Sequence, residues 1–150
     1  MYKAVARAMI RRNIEKMNHG HYRPALAMFT EDAVLTFPGD NSWSRLCRTP
    51  NPGRAASPTH RGRGEIEKFL VRYTEFGIQM KVEDILVKGP PWNMRVAVRV
   101  HDWIAGPGGT DAYANRAVLW ANLSWGKIRS QEDYEDTERA AAYDRASVDS

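Results

Sequence analysis

Cysteine is almost missing from this chain: Cys47 is the single one in 150 residues. A lone thiol closes no internal disulfide and cannot build a cysteine-rich zinc site. Long apolar runs are missing too, and none approaches the ~18 residues a membrane-crossing helix needs. The opening stretch MYKAVARAMIRRN has no continuous apolar segment before a small-residue cleavage site, so no secretory signal is expected. The four histidines lack the spacing of a metal-ligand set. These absences lead us to expect a cytoplasmic protein without a metal or a membrane partner.

Acids are missing locally. None lies between Asp40 and Glu65, whereas Arg45, Arg48, Arg54, Arg61 and Arg63 all do. The net charge of +4 favours an anionic partner. The same segment has few aromatics on which bases could stack, so nucleic acid is not expected. It reads as a solvated, proline- and arginine-rich loop over 38–60, long enough to be functional or mobile.

What is present suffices for a core, with 43% of residues hydrophobic, and the length suits one domain over 1–150. Val5, Met9, Ile10, Ile14 and Met17 recur at helical spacing and predict a helix over 2–18, with Gly20 as its stop. RPALAMF at 23–29 predicts a short second helix with Pro24 in its first turn. AVLTF at 33–37 predicts a strand. A third helix over 64–76 carries Ile66, Phe69, Leu70 and Tyr73 on one stripe. Strands are expected at 78–88, 94–104, 111–125 and 127–135, then a short terminal tail, 137–150, with a helix capped by Asp136 and Thr137. Three helices followed by an antiparallel meander make an α+β fold. A strongly curved antiparallel sheet wrapped round the helices would enclose a cone-shaped cavity, the usual home of a small ligand.

Alternation divides each strand into two faces. In 94–104, Arg95, Ala97, Arg99, His101 and Trp103 oppose Val96, Val98, Val100, Asp102 and Ile104. In the last strand Arg129, Gln131, Asp133 and Glu135 oppose Ile128, Ser130, Glu132 and Tyr134. The period does not say which face lines the cavity. The valine face could pack on the helices, leaving Arg99 and His101 to solvent or an interface, or the mixed face could line the pocket. Asp102, on the valine face, reads as a charge paired at an interface. Tyr113 and Trp103 are pocket-lining candidates, and Trp120 reads as a dimer contact.

The order of elements resembles the nuclear-transport-factor-two-like superfamily over nearly the whole chain. ALAMFTEDAVLTFPGD followed by HRGRGEIEKFL is similar to its SnoaL-like polyketide cyclase branch, and GKIRSQEDYED resembles the last strand of its limonene epoxide hydrolase branch. The resemblance implies that Asp133 takes the position of a catalytic base, with Arg99 and His101 (from the stretch RVH) beside it in the pocket. Arg99 would hold Asp133 ionised, and His101 would act as the acid. Leu35, Phe37, Trp103, Tyr113 and Gln131 would contact the ligand.

Leu35 and Phe37 are apolar where the epoxide hydrolases hold the attacking water, and Phe37 stands where ketosteroid isomerases carry a carboxylate base. What the resemblance leaves is cofactor-independent proton transfer on a small hydrophobic, often polycyclic molecule, by a homodimer. The other reading is a non-catalytic dimeric module of the same fold, binding a ligand or a protein.

Overall fold

The computed structural model describes residues 1–37 and 59–148, with side chains through residue 146. Most of the expected loop at 38–60 lies outside the described residues. Its last two members, Thr59 and His60, form a strand instead. The chain runs through helices α1 (Tyr2–Asn18) and α2 (Arg23–Leu26) and strands β1 (Phe29–Thr36) and β2 (Thr59–Arg61). It continues through α3 (Gly62–Glu75), β3 (Gln79–Lys88), β4 (Met94–Ala105), β5 (Asp111–Ser124), β6 (Lys127–Glu135) and α4 (Thr137–Val148). Among the described residues no helix is long and apolar enough to cross a membrane.

The strands form one curved sheet in the order β2-β1-β6-β5-β4-β3. All neighbours are antiparallel except β1 and β6, which run parallel with Leu35 opposite Gln131. This corrects the expectation of a wholly antiparallel sheet. A parallel pair needs a long crossover, and α3 with the β3–β5 meander supplies one. Register shifts interrupt β3 at Val82/Asp84, the β4–β5 ladder at Ile104/Ala105 and the β5–β6 ladder at Asn122/Leu123. Such bulges sharpen local twist and help a sheet curl. Between β5 and β6, Trp125 and Gly126 both take positive φ (51° and 80°), the left-handed pair that a two-residue hairpin turn demands.

Helix α1 shields the free edge of β3. The Asn18 side chain donates to the Met80 carbonyl and accepts from the Met80 N–H, both at 2.8 Å, and Arg7 Nε donates to the Ile85 carbonyl at 3.1 Å. These bonds occupy main-chain groups that an exposed edge would offer to another chain. Ala6, Ile14 and Met17 turn into the core, as do Ile66, Phe69 and Leu70 of α3. Val5 is left exposed, so the buried stripe of α1 is narrower than its apolar spacing suggests.

Candidate functional site

Register settles which face looks inward. Val96 lies opposite Ala121, which lies opposite Gln131. Val98, Leu119 and Asp133 make the next inward row, and Val100, Ala117 and Glu135 the one after. Asp102 follows, opposite Asn115. These rows, with Leu35 and Phe37 on the β1 side, and Ile14, Met17, Phe69, Leu70 and Tyr73 on the helices, surround a cavity of about 150 Å³. That volume admits roughly one substituted ring, since an apolar void of similar size takes up benzene.

Most of the lining is apolar, and the polar groups gather in part of it. Asp133 comes from β6, and Gln131 Nε2 donates to its Oδ1 at 2.8 Å. Burial pushes the Asp133 carboxyl up to about 7; the Gln131 hydrogen bond opposes this and the Asp102 charge adds to it. Asp102 is 8% exposed, and its Oδ1 accepts no hydrogen bond from the described residues. Burial raises it to about 6, against the pull of its own backbone N–H and of His101. Tyr73, from α3, lines the same cavity and feels the charges of Asp102, Asp133, Tyr113 and Glu135. Its hydroxyl is buried without a hydrogen-bond partner among the described residues, and burial first, then those charges, lift it well above the ordinary tyrosine value. Tyr113 is also raised, by burial and then Glu135, and its oxygen accepts from Asn115 Nδ2 at 2.8 Å.

The expected site residues divide accordingly. The structure brings Asp133, Gln131, Tyr113, Leu35 and Phe37 to the cavity. It does not bring Arg99, His101 or Trp103 there. They share the opposite face of β4, where Arg99 Nε pairs with Glu83 Oε2 at 3.0 Å and the His101 ring stacks on Trp103 at 5.7 Å. The correction has a simple cause. Side chains alternate with period two, so a match displaced by one residue turns every side chain to the other face. The β4–β5 hairpin carries a register shift at Ile104/Ala105, and moving the match by one residue puts Asp102 where His101 was expected.

Asp102 and Tyr73 are polar cavity residues that the sequence analysis did not place there. Asp102 had a usable signal, being the one acid on an otherwise aliphatic face. Tyr73 had none, because a tyrosine on an apolar helical stripe looks like core. His60 is buried and stacks on Phe69 at 5.4 Å while meeting Phe37 edge-on at 5.8 Å, behind the cavity wall. Among the described residues no cluster of three or more His, Cys, Asp or Glu is placed to hold a metal ion.

Against known proteins, no sequence-family model matches the chain, and no curated protein does. Solved structures do. An NTF2-like protein from Burkholderia xenovorans is 17% identical with a TM-score of 0.59, over 93% of this chain and 95% of that one. The chain has the nuclear transport factor 2-like fold. A candidate polyketide cyclase from Xanthomonas campestris pv. campestris is similar at 19% identity and TM-score 0.57, over 92% and 95% of the two chains. TerC, co-crystallised with polyporic acid, is similar at 18% identity and TM-score 0.66, over 89% and 92%. Identities this low establish the NTF2-like, cystatin-like architecture and no particular activity.

Proposed function

We propose that the cavity binds a small, mainly apolar molecule of about one substituted ring and transfers protons on it without a cofactor. The observation that carries this reading is that a mainly apolar chamber, lined also by Arg72 and Glu135, holds two carboxyls, buried Asp102 and half-buried Asp133, with values near 6 and 7. No hydrogen bond joins the two, and among the described residues neither forms an ion pair with a basic side chain. Between these values one carboxyl is largely ionised while the other still carries its proton. A base and an acid thus face the same ligand near neutral pH, the condition for push–pull proton transfer. The unpartnered Tyr73 hydroxyl supplies a donor toward an oxygen on which negative charge develops. The values exchange the roles the resemblance implied: Asp102, which ionises first, is the base, and Asp133, which holds its proton longer, is the acid. TerC's co-crystallisation with polyporic acid and the likeness to a candidate polyketide cyclase favour ring compounds as ligands.

A survey of small cyclic ketones and enones in D2O tests the reading. Wild type should speed deuterium uptake at the carbon next to the carbonyl. Asp133→Asn should lower the rate by about 10²-fold or more, and Asp102→Asn by a similar factor. Full activity in both variants, or none in wild type across the set, would sink the assignment. The rate should follow a bell in pH with its top between 6 and 7, since below that range no base remains and above it no acid does.

In this reading the chain also pairs with a second copy of itself, as the resemblance implies. The outer face of the sheet supports the pairing, because Leu86, Trp120 and Tyr134 stand exposed on it at 62%, 40% and 53%.

A further inference from the structure

One polar side chain of the cavity belongs to none of the machinery above. Asn13 lies on α1 with Ile10, Ile14 and Met17, all four lining the cavity, and it is only 9% exposed. Its Nδ2 donates to the Met28 Sδ thioether, a weak acceptor. No described residue donates to its Oδ1. A leucine or methionine would complete this wall at no polar cost, whereas a buried amide without good partners is destabilising. The amide also enters from the α1 wall, while Asp102 and Asp133 enter from the sheet and Tyr73 from α3.

We propose that Asn13 is a specificity-determining residue whose Oδ1 accepts a hydrogen bond from a second hydroxyl of the ligand, apart from the group held by Asp102, Asp133 and Tyr73. The ligand class this selects is a ring carrying hydroxyls at two separate positions, such as a dihydroxylated aromatic. The inference rests on the reading that this cavity holds a ligand. A ring with one hydroxyl would satisfy the acidic cluster and leave Asn13 unpaired. A fully apolar ring would leave both unpaired.

The test uses three probes of nearly equal shape, p-xylene, p-cresol and hydroquinone, titrated by NMR into the full-length wild type and into Asn13→Leu. Removing the acceptor strands the second hydroxyl of hydroquinone. The ratio of the p-cresol Kd to the hydroquinone Kd should therefore fall at least about fivefold in Asn13→Leu. The p-cresol Kd itself should stay within about twofold, and the melting temperature should hold or rise. Asn13→Ala carries the same expectation and serves if the leucine variant does not fold. An unchanged ratio in the variants would overturn the role of Asn13 while leaving the ligand reading intact. So would an equal weakening of all three probes with a lower melting temperature, the mark of a purely structural amide. Failure of all three probes to bind wild type would overturn both.

Discussion

Asp102 is buried and Asp133 half-buried, and the partial loss of water around both carboxyls has a cost with a definite sign. In the unfolded chain an aspartate ionises near 3.9. In the folded one Asp133 holds its proton to about 7 and Asp102 to about 6. Between these limits the native state binds more protons than the unfolded state, so stability falls as pH rises. At 1.36 kcal/mol per pH unit the Asp133 gap is of the order of 4 kcal/mol, all of it felt above pH 7 and none below about pH 4. Asp133→Asn keeps an acceptor for Gln131 and removes the ionisation. It should melt several degrees above wild type at pH 8 and within about a degree of it at pH 4, by calorimetry. Equal melting temperatures at pH 8 would contradict the burial of an ionisable Asp133. At this scale the sequence was half legible. Alternation put Asp133 and Glu135 together on one face of an acidic run, and the resemblance singled out Asp133. The wrong face of β4 was chosen because the resemblance was aligned on the stretch RVH, one residue away from the match that turns Asp102 inward. Asp102, on the face of Val96, Val98 and Val100, was the better clue.

Among the elements, α4 packs against Ile78 and Tyr113, two residues of the cavity wall. Asp136 caps it, accepting the Glu138 and Arg139 N–H groups on Oδ1 at 3.1 and 3.2 Å, as the Asp-Thr pair at 136–137 predicted. Asn115 Nδ2 ties the Asp136 carbonyl to β5 at 3.0 Å. Ala140 is fully buried in a cluster with Ile78 and Tyr113, and Tyr143 packs its ring 5.1 Å from Tyr113. Both Ile78 and Tyr113 line the cavity as well. Ala140→Asp puts a charge into that cluster and should undock α4 while the sheet stays folded. Water would then reach Asp102 and Asp133, and both should titrate closer to the ordinary aspartate value. Unaltered titration, with α4 protected from proteolysis, would show that the helix does not seal the site. The long periodic elements were readable within a residue or two. The exceptions lie where distant pairing overrides local pattern. Expected as helix over 23–29, the second segment stops at Leu26, because Met28 and Phe29 join β6 and the Met28 carbonyl accepts the Ile128 N–H at 2.7 Å. The three residues of β2 hold their strand only by pairing with β1, and no local signal marks them.

At the scale of the molecule, one curled sheet presents two unlike surfaces. Its concave side carries the valine rows, the carboxyls and the cavity. Its outer side carries the Glu83–Arg99 and Glu83–Arg116 pairs and the exposed Leu86, Trp120 and Tyr134. If a second copy covers that outer side, Trp120→Glu should convert a dimer to a monomer in light scattering, with the melting behaviour of the cavity residues little changed. A wild-type monomer at high protein concentration would end the pairing proposal. The architecture was readable from the order of elements, because each long strand announces itself by alternation and the turns by glycine. The inward face was not, because it depends on register, which the hairpin and its bulge set. The central claim is that the inward face holds two carboxyls near neutrality in an apolar chamber, and carbon-13 NMR of the aspartate side chains across pH 3–9 tests it most directly. Two carboxyl signals, lost in Asp102→Asn and Asp133→Asn respectively, should titrate near 6 and 7. If every aspartate titrates near 4, the two carboxyls are solvated and the proposed chemistry has no acid.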